Sequence, residues 1–192
     1  MFNPLIVYWG AKHWGRAFLL PLALWALLSG CANVQLVSAY DAQIDTGVSR
    51  YAQDLETYIA KMAGLFGQPE GAYAHNRDFY AEQAGRLGAL ILRAEATDPG
   101  KGCVLSDKAA ELLGDRLPAE LKSVAKDVSG NGDGCTVRML KNLKIQLGQL
   151  AELQKTMQGL NSAAAVSVLN ISSQAIRAVL AVEALKKKGI EG

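Results

Sequence analysis

An all-helical fold, an antiparallel bundle of four long helices, is what three features of this sequence predict. The 192 residues are 50% hydrophobic but only 7% aromatic, with 5 prolines, a composition poor in the turn formers and aromatic or β-branched runs of sandwiches and barrels. Four stretches repeat apolar residues at steps of three and four, the period of one helix face. Between the second and third of them lies a segment rich in turn formers, bounded by Cys103 and Cys135. The length suits one domain. Against 18 acidic residues stand 20 basic ones, too small an excess for phosphate neutralisation, so no nucleic acid is expected as a partner.

The first helix is predicted over 34–66. Val37, Ile44, Val48, Tyr51, Leu55, Tyr58, Met62 and Leu65 recur along it, and from Ile44 the steps alternate four and three, which keeps one apolar seam facing a partner. Gly64, Gly67 and Pro69 end it. A second helix over 72–96 carries Tyr73, Tyr80, Ala84, Leu87, Ile91 and Ala94, with Phe79 and Leu90 broadening the stripe. Its small residues, Ala81, Ala84, Gly85 and Gly88, are expected to let another helix approach closely. Asp98-Pro99-Gly100 stops it.

In the insert, Ser106 suits the cap of a short helix ending near Gly114, and Pro118 the first turn of another ending near Val128. The turn formers Ser129 to Gly134 follow. A third long helix is predicted over 136–158 from Leu140, Leu143, Leu147, Leu150 and Met157. After a break at 159–162, where Asn161 or Ser162 can cap, Ala165, Val168, Ala175, Val179 and Val182 mark a fourth over 163–188. Short turns make neighbouring helices antiparallel, with the short helical insert capping one end. The heptads are then buried within one chain and require no coiled-coil dimer.

The amino-terminal residues point to export. The first thirty contain no acidic side chain, and Lys12 and Arg16 precede the apolar stretch from Ala17 to Leu28, the order of a secretory signal. These twelve residues, interrupted by Pro21, fall short of the roughly 20 that a membrane span needs. Leu28-Ser29-Gly30-Cys31 comes next and resembles the lipobox of bacterial lipoproteins. The resemblance covers the export signal alone. It implies cleavage before Cys31, a thioether-linked diacylglycerol on that cysteine and usually an amide-linked third chain, and two or more chains anchor stably to a membrane. With Ala32 rather than Asp next, it also implies delivery to the outer membrane, facing the periplasm. The expected organisation is a removed signal at 1–30, a lipidated tether at 31–36, the bundle at 37–188 and a tail at 189–192.

Loss of residues 1–30 removes Trp9, Trp14, Trp25 and His13, leaving His75 as the single histidine and a formal net charge of zero. With Cys31 lipidated, Cys103 and Cys135 remain as a pair in an oxidising compartment, and a disulfide is expected. Closing a loop of this length contributes ~4 kcal/mol on the chain-entropy estimate. A zinc site needs more thiols or histidines than this region supplies, and a catalytic cysteine needs a base that only His75 could provide.

Other chemistry finds little material. A di-metal centre in a bundle requires paired Glu-x-x-His elements, and none is present. His75 alone cannot build a metal site. Asp127 to Asp133 resembles the first half of an EF-hand loop, but position twelve is Arg138 where a bidentate glutamate belongs, so the segment reads as a turn leading into a helix. Asp41 falls in a seam slot beside Tyr40 and Asp45. Buried, it would need a partner, and it is read instead as part of a frayed end that solvent reaches. Lys186, Lys187 and Lys188 complement a helix dipole, with anionic head groups or peptidoglycan as the other candidate. Phosphate loops, nucleophile elbows and paired catalytic carboxylates are missing.

The expectation is a non-enzymatic lipoprotein without cofactor or metal, tethered by lipid on Cys31 and serving another envelope protein as a helical scaffold or adaptor. The alternative is a small-ligand-binding module or a carboxylate-dependent hydrolase, with Asp41, Asp45 and Glu95 as candidate members.

Overall fold

A run of apolar residues at helical spacing can be buried only against another such run, and four of them here close around one core. The computed structural model describes residues 39–98, 100, 102–103 and 132–189, all within one unit spanning Gln35–Gly192. The helices are α1 (Ala42–Gly64), α2 (Arg77–Thr97), α3 (Cys135–Met157) and α4 (Ser162–Lys187). Contacts that join the start of α1 to the ends of α2 and α4, and the end of α1 to the end of α3, establish an antiparallel bundle. No strand occurs among the described residues.

The predicted seam of α1 is the buried one: Ile44, Val48, Tyr51, Leu55, Tyr58 and Met62 lie in the core, joined by Ile59. Its start differs from expectation. Asp41 is the N-cap, its carboxylate accepting the Gln43 N–H at 2.9 Å, so the helix begins at Ala42 and not at 34. An aspartate side chain competes for the backbone donors that a helix start leaves free, which makes it a better cap than interior residue. Ala39 and Tyr40 are not helical, and 34–38 lie outside the described residues.

Helix α2 also starts later, at Arg77 in place of 72, because the chain first makes two 3₁₀ turns, Pro69–Gly71 and Tyr73–His75. The Asn76 amide ties them off by donating to the carbonyls of Glu70 and Ala72. Gly71 must be glycine, since a Cβ there would lie 2.3 Å from the Leu65 carbonyl oxygen. Of the small residues of α2, Ala84 packs against the core, but the others do not form an internal seam. Ala81 and Gly85 are exposed and Ala84 and Gly88 half-buried, with only the Lys144 Nζ, at 3.6 Å, near a Cβ on Gly88. Close approach between α1 and α2 instead uses Gly47, where a Cβ would lie 2.7 Å from Leu90 Cδ2. Residues 81, 85 and 88 sit one step, about 100°, around the helix from Tyr80, Leu87 and Ile91, which take the core side.

Both short helices predicted in the insert fall within 104–131, outside the described residues. The insert's two ends are held together. Cys103 and Cys135 form a disulfide with Cα atoms 4.3 Å apart, and the Asp98 carboxylate accepts the N–H groups of Gly100 and Gly134. Helices α3 and α4 match their predicted bounds to within a residue. Asn161 caps α4 by accepting the Ala164 N–H at 2.8 Å. By length and composition α4 could cross a membrane, at mean hydropathy 1.5; here Ala165, Ala175, Val179 and Val182 pack it into the core.

Candidate functional site

The two ends of the bundle differ in chemistry. At the end where the described chain begins, polar groups are buried and mutually satisfied. Glu183 is fully buried. Its Oε1 accepts from Thr136 Oγ1 at 2.6 Å and Lys186 Nζ at 2.8 Å, and its Oε2 accepts the Asp41 N–H at 3.3 Å. The Lys186 side chain is 4% exposed. A carboxylate removed from water must be paired and hydrogen-bonded, and this one links α4 to α3 and to the cap of α1. Lys186 is thus a buried counter-ion and not part of a surface cationic cluster. Lys187 lies 5.4 Å from the Tyr40 ring centroid, and Lys188 is the C-cap of α4.

Asp41 belongs to this constellation and is not frayed. Besides capping α1 it pairs with Arg93 of α2. Burial by itself would raise its pKa, but the Arg93 guanidinium and the Gln43 N–H outweigh it and hold the carboxyl below the usual range. Asp45 accepts from the Tyr40 hydroxyl at 3.0 Å, and Glu95 pairs with Lys141 at 2.9 Å. The three candidate hydrolytic carboxylates therefore each have a separate partner. Asp133 pairs with Lys141 at 2.8 Å, and 127–131 of the calcium-like segment lie outside the described residues. His75 is exposed in its 3₁₀ turn. Among the described residues no group of three His, Cys, Asp or Glu could hold a metal. Cys31 lies outside the described residues.

The opposite end carries an open cleft of about 910 Å³ between the α1–α2 turns and the end of α3. Phe66, Pro69, Tyr73 and Met157 supply its apolar surface, and Arg77 and Lys155 its charge. Its floor is positioned by Gln154. Tyr58, at 2.6 Å, and Tyr80 both donate their hydroxyls to Gln154 Oε1, while Nε2 donates to the Gly71 carbonyl at 2.7 Å. Burial raises the pKa of both phenols, so they remain donors. Tyr58 stacks on Phe79 with centroids 3.6 Å apart and meets Tyr80 edge-on, while Tyr73 leans on Tyr80 at 5.4 Å. One buried amide thus fastens the 3₁₀ turns and two helices to α3. Sequence reasoning missed Gln154, although it sits four residues after Leu150, in the next seam slot.

The rim depends on backbone geometry. Gln158 ends α3 in the left-handed conformation, and Gly159 follows at φ +147, where a Cβ would lie 3.2 Å from Phe66 Cδ2. Phe66 remains 48% exposed. Arg77 Nε donates to the Ala74 carbonyl at 3.3 Å, and Lys155 pairs loosely with Glu152 at 3.8 Å.

A smaller hollow of about 430 Å³ lies between α1 and α2, lined by Lys61 and by charges that pair with one another: Arg86 bridges Asp54 and Glu82, and Gln83 donates to Asp54. Other exposed apolar side chains are dispersed over three helices as Leu92, Ile145, Val166 and Ile171.

Comparison with protein-family models, curated proteins and solved structures finds no match to this chain.

Proposed function

We propose that this chain is a lipid-anchored lipoprotein of the bacterial envelope, facing the periplasm from the outer membrane, whose bundle serves as a scaffold or adaptor for another envelope protein. The tether half of the reading rests on the lipobox-like Leu28-Ser29-Gly30-Cys31 behind a charged and apolar leader. The observation that carries the adaptor half is the polarity of the bundle. The described chain enters at Ala39, at the end closed by Glu183 and the disulfide, while the open cleft lies at the other end of α1, a helix of 23 residues and so about 34 Å long. Cys31 precedes Ala39 by eight residues in sequence, so a lipid there would join the chain on the side of α1 away from the cleft, which supports a cleft end available to a partner.

The test has two parts. Labelled palmitate should enter the wild-type protein and not Cys31→Ser, which should accumulate as an unprocessed precursor; equal labelling of both would refute the tether. In-cell crosslinking followed by mass spectrometry should return one envelope protein reproducibly.

The cleft also favours a second reading, a small-ligand-binding module, because about 910 Å³ falls within the usual range for such sites. A co-purifying small molecule with no protein partner would support that reading over the adaptor.

A further inference from the structure

We propose that the cleft at the α1–α2 and α3–α4 turns receives a segment of the partner protein that combines an acidic residue with an aromatic or branched aliphatic side chain. This rests on the adaptor reading and says where and by what chemistry the partner is held.

The charge of the cleft suits an acidic segment. Arg77 and Lys155 line the cleft and no carboxylate does. Arg77 spends one N–H on the Ala74 carbonyl and has no carboxylate partner among the described residues, so its terminal NH₂ groups can form a planar two-pronged contact to a carboxylate. Lys155 meets Glu152 only at 3.8 Å, with both side chains largely exposed, a pairing that an incoming carboxylate can displace at little cost.

The apolar side chains that share the cleft suit a protein segment. Phe66, Tyr73 and Met157 are of the types enriched where proteins bury one another's surface, and methionine adapts to irregular shapes. Phe66 stays exposed, whereas Tyr73, which also lines the cleft, leans on the buried Tyr80 ring. The floor does not yield easily, since Gly71 and Gln154 lock it, so an apolar side chain would enter a preformed place.

The test places the photoreactive residue p-benzoylphenylalanine in the full-length, membrane-anchored protein at one of four positions: Phe66 or Met157 in the cleft, Leu92 or Gln174 outside it. Irradiation in cells and sequencing of the captured peptides should show that Phe66 and Met157 capture one segment with an aspartate or glutamate within about four residues of an aromatic or branched aliphatic side chain. The double variant Arg77→Glu, Lys155→Glu should lower that yield by about tenfold, the scale of two exposed ion pairs together, with an unchanged thermal midpoint. Capture of the partner only from Leu92 or Gln174 would overturn the cleft proposal and leave the adaptor standing. A basic segment in the cleft, a yield indifferent to the charge reversal, or a lipid or small-molecule adduct at Phe66 would overturn it as well. No capture from any position would sink the adaptor reading, and the proposal with it.

Discussion

Gln154 uses both ends of its amide. Its oxygen accepts two phenolic protons and its nitrogen meets the Gly71 carbonyl, an arrangement that also fixes which way the amide points. Replacing it by leucine keeps the volume and strands three buried polar groups, each costing about 1–3 kcal/mol. Gln154→Leu should therefore lose about 3 kcal/mol or more in denaturant unfolding. Much of the loss should vanish when Tyr58→Phe and Tyr80→Phe are combined with it; an equal loss in that background would show that the network is not the cause. Asp41 isolates a charge effect. Asparagine caps as well as aspartate, so Asp41→Asn removes mainly the ionic link to Arg93. The folded carboxyl titrates below its ordinary 3.8, so its contribution is present above that pH and disappears as pH falls through the folded value. The wild type should lose more stability than Asp41→Asn between about pH 5 and pH 2, and parallel acid limbs would contradict this.

At the scale of the element, a helix is legible from its seam and less so from its ends. The four-and-three steps from Ile44 to Met62, and from Leu140 to Leu150, mark core positions because a helix can turn only one stripe inward. The starts of α1 and α2 moved because side-chain bonding at Asp41 and Asn76 offers the backbone another partner, which apolar spacing does not register. Ala81, Gly85 and Gly88 misled for a different reason: small side chains permit a close approach without attracting one, and these three lie beside the buried apolar stripe and not in it. The connection between α2 and α3 depends on a covalent link. Cys103 and Cys135, 32 residues apart, restrict the unfolded chain, and Cys103→Ser with Cys135→Ser should lower unfolding free energy by about 4 kcal/mol while leaving the helical circular dichroism of the folded protein intact. Stability equal to that of the wild type would show that the link constrains nothing.

For the molecule as a whole, the buried Glu183 joins the ends of three helices. Removing it leaves the Lys186 ammonium almost without solvent, so Glu183→Ala should cost about 3–5 kcal/mol. The apolar triple replacement Glu183→Leu, Lys186→Met and Thr136→Val should recover most of that in the same chemical denaturation series, and a triple variant as unstable as Glu183→Ala would argue against an ionic origin. By itself the sequence determined the all-helical class, the number of long helices, their antiparallel order and the apolar face of each, because those follow from period, turn residues and loop length along the chain. Gln83, Thr136, Gln154 and Glu183 were equally visible as polar residues in seam slots. Only the tertiary structure decided what they do there, since a buried amide or carboxylate is tolerable or ruinous according to partners that lie 29 to 142 residues away. It also decided that Phe66 and Tyr73 meet Met157, Arg77 and Lys155 in one cleft, because proximity across a bundle is set by helix length and turn geometry and leaves no mark in local spacing.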